Sequence, residues 1–244
     1  MKRLITIISA LAIVAPSHAQ VRPQRAVKIF NGKDLSGWKG DASIWSAGDG
    51  ILTGNTDTNS DTAQISSLEF SGGPVNDFEL KLKARFTGTG SANIGYRGNY
   101  RFAISPKLKT SGSISETGRR GILARRGVHA RASASTGQSR IIGTIQTPDK
   151  IELDAWNDIT IIARGNRLIH KINGEITSTL VDDDPERRSL EGLLSLQIDA
   201  GSVAKFELKD IVLRRYNRAH ISAPKNSATA IDTGTELDLV GRAS

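Results

Sequence analysis

The sequence predicts an all-β fold, specifically a two-sheet antiparallel β-sandwich or jelly roll. Several segments alternate apolar and polar residues with period two, which is typical of strands with one face on a core. Glycine is frequent, at 24 of 244 residues, and Asn-Gly or Gly-Asn pairs separate apolar runs where a hairpin needs a tight turn. Helical periodicity is nearly absent after the first fifteen residues. Short strands with frequent turns are the pattern of packed antiparallel sheets.

The first nineteen residues have the pattern of a cleaved signal peptide rather than of a strand. Lys2 and Arg3 precede an apolar run at 4–15, which Pro16 ends, and Ser17-His18-Ala19 offers small residues for cleavage. The run is well short of the ~20 residues that span a bilayer, so we expect no transmembrane anchor. The sequence therefore predicts a secreted or periplasmic protein that is cleaved near Ala19.

The clearest strand patterns follow in the middle and at the end of the chain. Residues 78–86 alternate Phe, Leu and Ala with charged residues, and 159–181 contain three short runs joined at Gly165-Asn166 and Asn173-Gly174. These runs predict a three-stranded meander. Residues 192–198 and 204–213 supply two more strands, and the apolar parity changes within the last one. One extra residue near Lys209-Asp210 would restore the register, so we predict a β-bulge there.

Two other regions lack a strand pattern. Residues 105–150 are rich in Gly, Ser and Arg, and we expect them to form long excursions beyond the rim of the sandwich. Residues 216–244 are rich in Ala, Ser, Thr and Asp and predict a flexible tail. The predicted organisation is thus a signal peptide at 1–19, a jelly-roll domain at 26–215 and a tail at 216–244.

Charge is unevenly distributed. The formal net charge is +8, but residues 97–140 contain ten Lys or Arg and only one acid, Glu116. Such a segment either binds an anionic surface or polymer or forms a solvated basic loop. No nucleic-acid reader motif is present, so nucleic acid is not expected as a partner. The chain has no Cys, which excludes disulfides and cysteine nucleophiles.

Few residues suit catalysis by their type and spacing. His170 has Leu168 and Ile172 on its own strand face, so it is either a core histidine or a catalytic one. Residues 182–184 are three successive Asp, which either bind a divalent cation or form a solvated turn. Polar and aromatic side chains concentrate at residues 96–101, YRGNYR, and this cluster is the best site candidate that composition alone provides.

A series of short blocks resembles a known family. The blocks include FNGKDLSGW at 30–38, NIGYR at 93–97, GILA at 121–124, WN at 156–157 and LQIDAG at 196–201. In this order they are similar to the 3-keto-disaccharide hydrolase family, whose members are also described as 3-keto-glycoside lyases or hydratases. Each block alone is a weak match, but together they cover most of the chain that follows the signal peptide.

The resemblance implies a concanavalin A-like jelly roll that processes carbohydrates already oxidised at C3. A ketone at C3 acidifies the C2 proton, so a base can remove it and C1 can then lose its alkoxide. Matching positions suggest Asp199 or Glu116 as the base and Arg97 as the partner of the oxyanion. Gln197 and Tyr100 would position the sugar. Substrate binding is further expected from Asn93 and His170, and a divalent metal ion is a candidate cofactor.

The sequence departs from the family pattern at three positions. Ala103 stands where an acid is usual, Ser115 stands where a Tyr is usual, and Asp199 stands where His is common. Losing a general base costs roughly 10²–10⁴-fold in rate. Two hypotheses therefore remain: an enzyme with a reassigned base, or a glycan-binding module without turnover.

Overall fold

The computed structural model describes residues 24–56, 64–107, 110–118 and 120–216. The predicted signal peptide, the predicted tail beyond Tyr216, His220, Lys109 and Arg119 lie outside these ranges. Within them no helix is long and apolar enough to cross a membrane.

Seventeen strands, with no α-helix among the described residues, build the fold. In chain order they are β1 Val27–Lys28, β2 Trp38–Gly40, β3 Trp45–Gly48, β4 Ile51–Thr56, β5 Ser66–Phe70, β6 Phe78–Gly88, β7 Ala92–Tyr96, β8 Tyr100–Ile104, β9 Ile114–Glu116, β10 Ile122–Ala124, β11 Val128–Ala132, β12 Ser139–Thr144, β13 Asn157–Arg164, β14 Arg167–Ile172, β15 Glu175–Asp182, β16 Ser195–Ile198 and β17 Ala204–Arg215.

The described strands form two sheets, which confirms the predicted sandwich. A ten-stranded sheet has the order β12-β11-β15-β14-β13-β6-β17-β4-β3, with β1 also paired to β17. A seven-stranded sheet has the order β10-β9-β8-β7-β16-β5-β2. Neighbours pair antiparallel except for β11 and β15, which are parallel. Chain-distant strands such as β6 and β17 lie side by side, as in a jelly roll.

The core lies between the two sheets, and strand alternation fills it. Phe78, Leu80 and Leu82 of β6 are at most 3% exposed, whereas the charged residues between them point away. From the seven-stranded sheet, Ile94 and Phe102 meet them in one continuous apolar cluster. The residues that alternate with Ile94 and Phe102 along these strands therefore form the outer face of the seven-stranded sheet.

The predicted meander and bulge are both confirmed. β13, β14 and β15 pair in succession, and the turn between the last two has positive φ at Asn173 and Gly174. This backbone is accessible to glycine and tolerated by Asn. The register of β17 against β6 shifts between Lys209 and Val212, where Asp210 has a φ of 53°.

The expectation of long excursions at 105–150 is wrong. Strands β9 to β12 fall in this segment, where β9 and β10 extend the seven-stranded sheet and β11 and β12 extend the other. The strands are short, and β12 is exposed along nearly its whole length, so period-two alternation could not reveal them.

Candidate active site on the outer face of the seven-stranded sheet

The candidate site lies on the middle strands of the seven-stranded sheet. β7 and β16 pair side by side, with Gln197 opposite Asn93 and Ser195 opposite Gly95. Their apolar neighbours, Ile94 among them, fill the core. The polar residues therefore share the outer face.

Asp199 follows β16 and is held by β7 and the segment before it. Its backbone N–H donates to Ser91 O over 3.0 Å. Its carboxylate accepts a hydrogen bond from Asn93 Nδ2 at 2.8 Å and another from the Ser91 hydroxyl. Asn93 is only 5% exposed. The charged oxygens of Asp199 thus have a fixed position beside an amide.

Two buried polar atoms on this face lack partners within the described chain. They are Arg101 Nε and Gln197 Oε1. Burial lowers the pKa of Arg101, while the charge of Asp199 opposes that shift. Buried polar groups without partners are rare in folded proteins and are explained by a ligand, water or ion. One atom is a donor and the other an acceptor, which suits a hydroxylated ligand.

Gly95 has no side chain on this face, so the Ser195 hydroxyl and the Gln197 amide lie close over its backbone. Arg101 lies opposite Gly95 on one side, and Ser195 lies opposite it on the other. A Cβ at Gly95 would collide with Ser195 Oγ and would lie 3.6 Å from Gln197 Nε2. Opposite Asn93, Ala103 also has a short side chain. We call the part of this outer face that contains Gly95 and Ala103 and is bordered by Arg101, Asn93 and Gln197 the trough.

Arg97 directly follows β7, and its side chain is bound by loop residues. It is 1% exposed, and it donates to Asn76 O at 2.8 Å and Gly165 O at 2.7 Å and forms an ion pair with Asp77 at 3.1 Å. Asp199 is held by Ser91, which lies six residues before Arg97, so the backbones of Arg97 and Ser91 are roughly 20 Å apart at ~3.3 Å per residue. Arg97 fastens loops together, which corrects its predicted position next to the base.

Glu116 and Tyr100 also point inward rather than to the trough. Glu116 lies opposite Tyr100 and forms an ion pair with Arg120, which also contacts Asp182 at 2.9 Å. Tyr100 donates to the same Asp182 carboxylate at 2.6 Å, and burial together with this bond raises the pKa of the phenol. The prediction that Arg97, Glu116 and Asp199 gather around one ring is therefore corrected.

His170 lies in the core between the sheets. It is fully buried, with Nε2 2.8 Å from the Tyr96 hydroxyl and Nδ1 3.3 Å from Gly112 O. Burial lowers its pKa to about 3, so the ring is neutral at physiological pH. Its position separates it from any sugar on the outer face, which corrects the predicted binding role and agrees with the alternative of a core histidine.

The donor set for a metal ion is poor. The described residues contain no group of three or more His, Cys, Asp or Glu that could hold a metal. Asp182 and Asp184 are fully buried rather than solvated, and Arg120 supplies their positive partner. Asp182 and Asp184 thus belong to an internal ionic cluster, whereas Asp183 is partly exposed and pairs with Arg131 at 3.4 Å. No step below runs through a metal.

Sequence reasoning found part of this site. Asp199, Asn93 and Gln197 do lie together. The sequence indicated Arg101 only as one member of the polar and aromatic cluster at 96–101. The alternation of Tyr100, Phe102 and Ile104 on the inner face would have assigned Arg101 to the outer one. The trough at Gly95 depends on strand pairing and has no local signal.

The sequence matches one family over most of its length. A profile described as a 3-keto-alpha-glucoside-1,2-lyase-like domain matches residues 25–214. No curated protein matches the chain in sequence.

Solved structures share the fold at low identity. A candidate glycosyl hydrolase from Parabacteroides distasonis has a TM-score of 0.54 at 17% identity, over 79% of this chain and 94% of that one. A second from the same organism has a TM-score of 0.54 at 14% identity, over 79% and 100%. The laminarinase from Rhodothermus marinus has a TM-score of 0.52 at 12% identity, over 82% and 99%.

Proposed function

This chain belongs to the family of 3-keto-alpha-glucoside-1,2-lyase-like domains, and from that premise we propose that it cleaves 3-keto-glycosides on the outer face of its seven-stranded sheet. The fold is that of carbohydrate-processing jelly rolls. The observation that carries the proposal is the trough at Gly95, where unpartnered Arg101 Nε and Gln197 Oε1 share one face with the anchored carboxylate of Asp199.

The proposed base is Asp199. Its carboxylate removes the proton at C2 of the sugar, which the neighbouring C3 ketone has acidified, and the electron pair forms an enolate across C2 and C3. The enolate then expels the C1 alkoxide, which takes up a proton to leave as an alcohol. Water adds at C1 of the resulting enone and gives the free 3-keto sugar. Asn93 and Ser91 keep the carboxylate in place for the first step.

Arg101 is the proposed partner of the enolate oxygen. The guanidinium has no ion-pair partner among the described residues, and Nε is buried. A fixed cation in a partly desolvated site stabilises a developing negative charge more strongly than it would in water. Arg101 thus replaces Arg97 in the role that the family resemblance suggested. Gln197 Oε1 is placed to accept a hydrogen bond from a sugar hydroxyl.

The test is release of p-nitrophenol from p-nitrophenyl 3-keto-glucoside, with the unoxidised glucoside as the matched control. We expect release from the keto compound alone, because only the ketone acidifies C2. Asp199→Asn keeps the side-chain size and removes the base, so kcat should fall by about 10²–10⁴-fold. Arg101→Met should lower kcat by about 10²–10³-fold.

A second candidate function is glycan binding without turnover. One observation favours it: both oxygens of Asp199 already accept hydrogen bonds. The carboxylate is therefore also suited to accept a hydrogen bond from a sugar hydroxyl. If the keto compound stays intact but binds saturably to the wild type and more weakly to Asp199→Asn, the binding module is correct and the enzyme is not.

Export is the remaining part of the proposal. It is supported by the basic and apolar pattern of residues 1–19, which lie outside the described ranges. N-terminal sequencing of the protein recovered outside the cytoplasm should begin at Gln20. A chain that still begins at Met1 would contradict the proposal.

A further inference from the structure

A cavity of about 580 Å³ opens at one end of the sandwich, separate from the trough. Phe86 and Leu153 form its apolar side, and the basic residues Lys107 and Arg126 form part of its polar side. Such a volume is in the range of small-molecule sites. The proposed function does not use this cavity.

Arg126 is the reason to expect a ligand here. It is 7% exposed, and its Nε has no hydrogen-bond partner within the described chain. The rest of the side chain is anchored, since Nη2 donates to Pro148 O, and the backbone N–H donates to Ser113 Oγ at 3.0 Å. A buried guanidinium N–H without an acceptor is costly, and an acceptor supplied by a ligand removes that cost.

The charges around the cavity decide the class of that ligand. Against Arg126, Lys107 and Lys150, the lining presents the carboxylates of Asp149 and Asp154, and Lys150 forms an ion pair with Glu152 at 2.8 Å. The local charge is therefore balanced, which gives an anion no net attraction. The Asp149 and Asp154 carboxylates line the cavity and can only accept hydrogen bonds.

We infer that this cavity binds a neutral saccharide unit, as a second carbohydrate site distinct from the trough. Guanidinium donors and carboxylate acceptors around an apolar wall match the hydroxyl groups and the C–H face of a sugar. The cavity residue Ser105 donates to Gly90 O at 3.3 Å, and the next residue, Ser91, holds Asp199. A sugar in the cavity would thus lie against the same segment that positions the proposed base.

The test is titration of the full exported chain with cellobiose, followed by isothermal calorimetry and by the arginine Nε–H signals in NMR. We expect saturable binding that shifts one Nε–H signal, assigned to Arg126 because it disappears in Arg126→Met. Arg126→Met and the exposed variant Asp149→Asn should each weaken binding about three- to tenfold, as expected for loss of one hydrogen bond.

Controls separate this site from the trough and from an anion site. Asp158→Asn, which changes an exposed carboxylate on β13 outside the cavity lining, should leave cellobiose affinity unchanged. Binding that is lost in Asp199→Asn but kept in Arg126→Met would overturn the inference, and so would glucuronate binding more tightly than cellobiose. Should Arg126→Met not fold, Asp149→Asn carries the test alone.

Discussion

At the scale of single residues, the molecule separates groups that its sequence places close together. Tyr100 and Arg101 are neighbours, yet one hydroxyl points inward to Asp182 and the adjacent guanidinium lies on the outer face. The family resemblance suggests the same task, that of the base, for Glu116 and Asp199. Glu116 forms an ion pair on the inner face, whereas Asp199 remains the proposed base.

Glu116→Gln should therefore affect stability rather than turnover. The change removes one carboxylate from buried Arg120, which keeps Asp182 as a partner. We expect the free energy of unfolding to fall by about 1–3 kcal/mol and kcat per folded enzyme to stay within twofold. Denaturant unfolding and the p-nitrophenol assay measure the two quantities.

A drop in kcat of a hundredfold or more in Glu116→Gln, without loss of folded protein, would return this residue to the catalytic set. Asp158→Asn is the matched control, because its ion pair with Lys83 is exposed and should contribute less than about 1 kcal/mol.

Gly95→Ala tests the trough directly. The added methyl group would overlap Ser195 Oγ and lie 3.6 Å from Gln197 Nε2, so the Ser195 hydroxyl must rotate away, which leaves the sheet intact. We expect KM for the 3-keto-glucoside to rise about tenfold with little change in the unfolding midpoint. Gly48→Ala, where a Cβ meets nothing within 4 Å, should change neither value. An unchanged KM in Gly95→Ala would place the sugar elsewhere.

At the scale of elements, local patterns predicted the hairpins well and the non-local strands poorly. The meander of β13 to β15 follows from apolar runs and Asn173-Gly174, because turn chemistry acts over a few residues. β11 lies parallel to β15 after a gap of more than forty residues along the chain, and nothing local encodes that pairing. The bulge at Lys209-Asp210 could be predicted because the alternation of apolar residues changes parity within a single strand.

The core position of His170 on β14 predicts a pH-dependent stability. Its folded pKa of about 3 lies below the ~6.5 of an unfolded histidine, so the unfolded chain binds more protons between these values. The free energy of unfolding should be highest above about pH 6.5 and fall as the pH decreases, by up to about 1.4 kcal/mol per pH unit. Denaturant titrations at pH 7, 6 and 5 measure this slope.

His129, which is partly exposed and lies 2.8 Å from Thr179 Oγ1, provides the control. His129→Gln should keep the slope, whereas His170→Gln should flatten it. An NMR signal of the His170 ring that titrates near pH 6.5 in the folded protein would contradict the account.

At the scale of the whole molecule, the fold was predictable because period-two alternation reports which face of a strand meets the core. The site was not fully predictable, because a face becomes a site only after strands from distant parts of the chain align. The basic segment at 97–140 illustrates the difference. Arg97, Arg120 and Arg131 form ion pairs with acids from other segments, so three of the segment's ten positive charges have partners that the local sequence does not show.

The central claim is that Asp199 removes the C2 proton of a 3-keto sugar held in the trough. The most direct measurement is the rate of cleavage of the C2-deuterated 3-keto-glucoside relative to the protiated one, in the wild type and in Asp199→Asn. We expect a primary isotope effect in the wild type and a cleavage rate about 10²–10⁴-fold lower in Asp199→Asn. Equal rates for the two substrates, together with an Asp199→Asn variant as fast as the wild type, would contradict it.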